Sequence, residues 1–152
     1  KDFNEEKNGV PVVRIRDVLD GTTKTFTPEI PDDEYKINTG DLLIGMDGTF
    51  HCSFWYTEGA YLNQRVARIR SKLPGYFIFE SVRLQLDFLQ KTITGATVGH
   101  LANGDIRNFQ IFVPKDVSIL TIFENITKKV LSLRKEIMNL KESRDQLLAK
   151  LI

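Results

Sequence analysis

The sequence predicts an α+β fold: a mixed globular region over residues 1–115, then a long coiled-coil helix over 116–152. Three observations carry that expectation. Short β-branched runs, punctuated by Asp-Gly and Pro-Gly signals, fill the first two thirds of the chain. One stretch, 76–92, carries apolar residues near a helical period. After Pro114 there is no further Gly or Pro, and the apolar residues follow a seven-residue repeat.

Taken in order, Val10, Val12 and Val13-Arg14-Ile15-Arg16 form a first strand, stopped by the turn signal Leu19-Asp20-Gly21. Residues 27–41 hold Pro28, Pro31, Asp32-Asp33 and Gly40, which is loop chemistry. Asp41 to Met46 reads as a strand closed by Asp47-Gly48, a hairpin signal. Ala60 to Ile69 reads as one further strand. Pro74-Gly75 precedes the helix of 76–92, whose apolar face is Phe77, Val82, Leu86 and Leu89. Residues 94–100 form a small-residue loop. Phe109, Ile111 and Val113 alternate with Gln110 and Phe112, a strand that ends at Pro114.

The terminal segment has two apolar columns. Phe123, Val130, Ile137, Arg144 and Leu151 form one, and Ile119, Ile126, Leu133, Leu140 and Leu147 the other. Their steps alternate three and four, the seam of a coiled coil. A helix over 118–152 would be roughly 50 Å long, against about 30 Å for the globule before it. The helix must project or lie along something, and the sustained seam calls for a partner helix rather than a return onto its own domain. Arg144 occupies a seam position, where a charge fixes register at a cost in stability.

Composition narrows the function. At 152 residues, 41% hydrophobic and 27% charged, the chain can bury a core. The net charge of +1 excludes a polycationic tail, yet the charges are unevenly spread. Residues 1–64 hold 6 basic and 12 acidic residues, 65–115 hold 8 and 3, and 116–152 hold 7 and 5. A polyanion would therefore bind the middle third, if any. The lone Cys52 excludes an internal disulfide and fits a reducing, cytoplasmic setting. No run approaches the roughly 18 apolar residues of a membrane span. His51, His100 and Cys52 are too few for a zinc site, no phosphate-binding glycine loop is present, and Asp41, Asp47, Glu58 and Asp105 lie near turns. No catalytic constellation, metal or cofactor is expected.

DNA contact suits the remaining polar residues better. Arg65, Arg68 and Arg70 come at near-alternate positions, so that on a strand Arg68 and Arg70 share a face opposite Arg65. Thr49, His51 and Ser53 follow the Asp47-Gly48 turn, with Trp55 and Tyr56 just beyond, aromatics whose commoner fate is core packing. Thr92, Thr94, Thr97 and His100 form a second polar loop, flanked by Lys91 and Arg107. Hydroxyls and imidazoles on such loops meet base edges and sugar–phosphate.

In order, these pieces resemble one target-recognition half of a type I restriction–modification specificity subunit. The carriers are Gly9-Val10-Pro11 with its apolar run to Asp17, Asn38-Thr39-Gly40-Asp41-Leu42-Leu43-Ile44-Gly45-Met46-Asp47-Gly48, and Leu62-Asn63-Gln64-Arg65-Val66. Gly75-Tyr76-Phe77 leads into a helix as in that family, and Thr97-Val98-Gly99-His100-Leu101 through Pro114 resembles the family's closing motif before a long helix. Two departures stand out. Lys115-Asp116-Val117-Ser118 replaces the Glu-Gln that often leads that helix, so its capping should differ, and the family's opening Trp-containing strand is missing. The chain resembles a half subunit or a fragment of a whole one.

The resemblance implies a non-catalytic reader of one half of a split double-stranded DNA target. It implies partners too: methyltransferase subunits, a restriction subunit, and a second copy or second half docked through the long helix, without membrane contact. The S-adenosylmethionine and ATP sites would lie on those partners. Thr49, His51, Ser53, Thr94, Thr97 and His100 are the candidate base readers, and Arg65, Arg68, Lys91 and Arg107 the candidate phosphate contacts. Phe123, Ile126, Val130, Leu133, Ile137, Leu140, Arg144, Leu147 and Leu151 are the candidate helix interface, most simply a twofold antiparallel pair. Rival readings are a coiled-coil adaptor that binds protein, a small hydrolase or transferase using Cys52 or His51 and His100, and the recognition subunit of a combined cutting-and-methylating enzyme.

Overall fold

A computed structural model describes residues 2–93 and 99–151. Its elements are β1 (Val10–Val13), β2 (Phe26–Thr27), β3 (Lys36–Ile37), β4 (Leu42–Gly45), β5 (Cys52–Phe54), β6 (Ala60–Leu62), β7 (Val66–Ile69), α1 (Gly75–Ile93), α2 (Asn103–Arg107) and α3 (Ile119–Leu148). The α+β expectation holds. One sheet runs β2-β1-β6-β3, with β1 and β6 parallel and the outer pairs antiparallel. The other runs β5-β4-β7 and is antiparallel throughout.

The central strand β4 is buried along its whole length, because both of its faces meet a core. Leu42 and Ile44 face α1, joining Met46, Phe54, Ile78, Val82 and Leu86. Leu43 points the other way and packs with Val13, Ile37, Trp55, Ala60 and Val66. The order of layers is thus α1, three-stranded sheet, four-stranded sheet. Trp55 is fully buried in the second core, which removes it from any recognition surface. Gly21 sits between the two regions at φ +65°, and a Cβ there would lie 2.2 Å from the Tyr56 ring, so only glycine fits.

Three expectations are corrected. The strand expected over 60–69 is two strands in different sheets, broken at Asn63-Gln64-Arg65, where the Val66 N–H bonds back to the Asn63 carbonyl at 3.1 Å. Apolar periodicity alone does not reveal a turn made by three polar residues. The first strand stops at Val13, and Ile15–Asp17 turns as a 3-10 helix, because the buried Asp17 carboxylate accepts the Arg14 N–H at 2.9 Å. Phe109–Val113, expected as a strand, joins neither sheet. The Gln85 side-chain amide takes the place of a neighbouring strand, donating to the Gln110 carbonyl at 3.0 Å and accepting the Gln110 N–H at 2.9 Å. Phe109 and Ile111 then pack under α1 while Phe112 stays 81% exposed.

The long helix is divided in its contacts. Its first half lies on α1: Phe123 meets Phe77 edge-on at 5.3 Å, and Val130 and Leu131 reach the first core. Thr127 Oγ1 accepts the Tyr76 N–H at 2.9 Å, serving a donor that the first turn of α1 cannot pair internally. Arg134 stacks on Tyr56 at 5.0 Å and donates to the Asp20 carbonyl. From residue 139 to 151 every residue is exposed. A return onto its own domain, set aside on the sequence, is therefore what half of this helix does. Just before the helix, the Asp116 carboxylate accepts the Ser118 N–H at 3.0 Å, and Ser118 stands at the N-cap with no side-chain cap bond.

Candidate nucleic-acid interface

The turn after β4 and the segment from Gly99 to Leu101 converge. Gly48 N–H bonds to the Gly99 carbonyl at 3.0 Å, Leu101 N–H bonds to the Met46 carbonyl at 2.8 Å, and Asp47 pairs with His100 as an antiparallel bridge. Gln90 accepts the Phe50 N–H at 2.7 Å, tying the same turn to the end of α1 that carries Lys91. The Asp47-Gly48 turn and the 99–101 segment, far apart in sequence, thus lie side by side.

Beside this junction lies a cleft of about 460 Å³, lined by Arg14, Ile15, Arg16, Leu19, Asp47, Thr49, His51, Asn63, Arg65 and Val66. Three guanidinium groups and one carboxylate face it. The Asp47 carboxylate is the hub: Arg65 Nε donates to it at 2.8 Å, Arg65 Nη2 donates to its second oxygen, and His100 Nδ1 lies 2.7 Å away. Arg65 beside it, and then His100, hold the Asp47 carboxyl well below the usual carboxylate range. Arg14 stacks on Phe3 at 5.8 Å and has no carboxylate partner among the described residues. Arg16 is held loosely, by exposed Glu5 at 3.7 Å, buried Asp17 at 3.9 Å and the Thr25 hydroxyl at 3.4 Å. A second hollow of about 500 Å³ shares Asn63 and Val66 with the first and adds Ile30, Tyr35, Gln64 and Asn103. The Asn63-Gln64-Arg65 turn is the ridge between the two.

The expected site residues distribute unevenly. Thr49, His51 and Arg65 line the cleft, and His100 reaches it through Asp47. Lys91 and Arg107 are exposed in the last turns of α1 and α2. Ser53 is half-buried within β5, its hydroxyl 3.4 Å from the Phe54 carbonyl, and it does not line the cleft. Arg68 is committed elsewhere: it donates to the carbonyls of Lys36 and, at 3.0 Å, Glu34. Arg70, on the same face as expected, forks onto Asp41 at 2.9 and 3.0 Å. Thr94 and Thr97 lie outside the described residues. Arg14, Arg16 and Asn63 are the cleft residues that sequence reading missed. The alternation Val13-Arg14-Ile15-Arg16 was the available signal, since two arginines at that spacing leave one face of an extended segment.

Cys52 is held away from the thiolate form that a nucleophile needs. Burial, and then the charge of Glu80, push its thiol up to about 12. No group of three or more metal-ligating side chains converges among the described residues, and no described helix is long and apolar enough to cross a membrane.

The model of the type I restriction modification DNA specificity domain matches residues 1–142. The chain belongs to that family. It is similar to the type I restriction enzyme EcoBI specificity subunit of Escherichia coli, with 36% identity over 117 residues, covering 74% of this chain and 24% of that subunit. The chain thus spans about a quarter of the length of that relative. The matched residues 1–142 include the residues that line the cleft and most of α3.

Proposed function

We propose that this chain reads one half of a bipartite double-stranded DNA target through the Asp47-centred cleft and the loops around it. The observation that carries the reading is the cleft itself: in a DNA specificity domain, Arg14, Arg16 and Arg65 gather with Thr49, His51 and His100 at one surface. Arg14 and Arg16, with Lys91 and Arg107 outside the cleft, neutralise phosphates and set position without reading sequence. Thr49, His51 and His100, with Thr94, Thr97 and Ser53, offer hydroxyl and imidazole groups to base edges in the major groove. In this reading Arg68 braces the 34–36 backbone and contributes to DNA affinity only through its charge.

The chain is a non-catalytic cytoplasmic reader, and residues 116–152 form its spacer and docking helix. Ile119, Leu133, Ile137, Leu140 and Leu147 are between 42% and 63% exposed, an apolar stripe that a second helix would bury. The occupant is a second copy or a second half-subunit lying antiparallel, so that two readers stand at opposite ends of the spacer. Adenine-methylating subunits and a restriction subunit assemble on this scaffold, bringing the S-adenosylmethionine and ATP chemistry with them.

The test is methylome sequencing in a host free of adenine methylation, with the cognate methyltransferase subunit expressed with and without this chain. A chain-dependent split motif is expected, palindromic if two identical copies pair. An active methyltransferase that co-purifies with the chain yet produces no chain-dependent motif would overturn the reading and favour a protein-binding adaptor.

A further inference from the structure

We propose that Asp47 is a positioning residue that fixes Arg65 as a reader of guanine, with His100 held beside it as a second base-edge group. The inference rests on the reading of the cleft as a DNA interface and goes further, to one chemical class of base.

The sequence places Arg65 among phosphate contacts; its geometry suits a base edge better. Asp47 engages one side of the guanidinium, through Nε at 2.8 Å and through Nη2, and the Leu101 carbonyl lies 3.5 Å from Nη2. The rotamers of a long side chain are thereby restricted before any ligand arrives. Nη1 has no partner among the described residues, and the second hydrogen of Nη2 is held only by the long 3.5 Å bond to the Leu101 carbonyl, so the terminal Nη1–Nη2 edge can fork onto a ligand that takes the place of that carbonyl. That planar fork matches O6 and N7 of guanine in the major groove.

Charge argues the same way. A carboxylate on the wall of a cleft built only to neutralise phosphates opposes its purpose. Asp47 is tolerable there if its task is aim rather than charge. It also holds His100, whose Nδ1 is 2.7 Å away and whose side chain is 68% exposed. A neutral ring with its proton on Nδ1 donates to Asp47 and turns Nε2 outward as an acceptor, suited to the amino group of cytosine or adenine. One carboxylate thus sets a donor fork and an acceptor in fixed relation across the junction of two loops.

The experiment uses the full chain in complex with its methyltransferase subunits, on duplexes carrying the motif that the wild-type chain directs. Each guanine of the half-site is replaced in turn by 7-deazaguanine, which removes the N7 acceptor and keeps base pairing. At one guanine the wild-type complex is expected to bind about five- to 150-fold more weakly, while Arg65→Ala pays no further penalty for the same replacement. Asp47→Asn, similar in shape, is expected to weaken cognate binding although it removes a negative charge, and to leave binding to unrelated DNA equal or tighter. Arg65→Lys keeps the charge and loses the fork, so it should behave as Arg65→Ala does for the base. The scan on the wild-type complex needs no variant, should one fail to fold.

Three outcomes overturn the proposal. One is a half-site with no guanine sensitive to loss of N7. Another is Arg65→Ala weakening cognate and unrelated DNA equally, with the salt slope reduced by about one, which marks a phosphate contact. The third is Asp47→Asn leaving the cognate preference unchanged. Failure of the underlying reading looks different: the wild-type chain then directs no motif at all.

Discussion

Thr127→Val would measure how firmly α3 is joined to the domain. The substitution keeps the side-chain shape and removes one hydroxyl, which accepts the Tyr76 N–H at 2.9 Å and donates to the Phe123 carbonyl at 2.8 Å. Tyr76 is the second residue of α1, so its N–H has no acceptor within that helix. Loss of an acceptor at a helix start costs about 0.5–2 kcal/mol, and a donor left unsatisfied in a buried place about 1–3 kcal/mol. Both residues are half-buried, which places the expected loss where those ranges overlap, about 1–2 kcal/mol. For a chain of this size that lowers Tm by about 2–8 °C. Thr127→Ser keeps the bond and loses a methyl worth at most about 0.8 kcal/mol, so Ser should be the milder change. Urea unfolding followed through Trp55, the one tryptophan and fully buried, reports the difference directly. A Val variant as stable as the wild type, with the Ser variant the weaker of the two, would refute the reasoning and show that water serves Tyr76.

Two more outcomes follow from the same contacts. The Asp47 carboxyl is depressed in the folded state by Arg65 and then His100, so the stability it contributes is present above the ordinary value near 4 and is lost as pH falls from there toward the folded value. Asp47→Asn should flatten the acid limb of a stability-against-pH curve below about pH 4, and identical limbs for the two proteins would remove Asp47 as a contributor. Lysine at both Leu133 and Leu140, which are 42% and 63% exposed, should weaken self-association in sedimentation velocity while the Trp55 unfolding midpoint moves little; unchanged association would shift the docking stripe elsewhere.

Much of the fold was legible because its signals are local. The helical period over 76–92 and the apolar run of β4 survive into the structure, bounded as Pro74-Gly75 and Asp47-Gly48 suggest. Part of what was hidden depends on partners distant in sequence. Gln85 supplies the neighbour that the 109–113 segment lacks, and no pattern within either segment announces an amide that imitates a strand. The site shows the same division. Regional charge pointed to residues 65–115, yet there Arg68 and Arg70 spend their donors on backbone and Asp41, and Arg83 pairs with Glu80 and Asp87. Two of the cleft's arginines, Arg14 and Arg16, come instead from the acidic first third. Counting charges along a chain locates a basic segment; whether those charges face a ligand depends on which carboxylates and carbonyls the fold brings to them. Asp47 was legible as a turn residue, and its second task appeared only when the 99–101 segment returned beside it.

The seating of α3 bears on how two readers would be phased about a duplex. Fastened at Phe123, Thr127, Val130 and Arg134, the helix cannot swivel freely at its base, so it transmits angle as well as length. Each residue added beyond this seat advances a distal partner by about 1.5 Å and turns it by about 100°. B-DNA advances about 3.4 Å per base pair and repeats in about 10.5. An insertion is therefore useful only when the screw of the protein and the screw of the nucleic acid return to a common heading, which makes the admissible spacer lengths discrete.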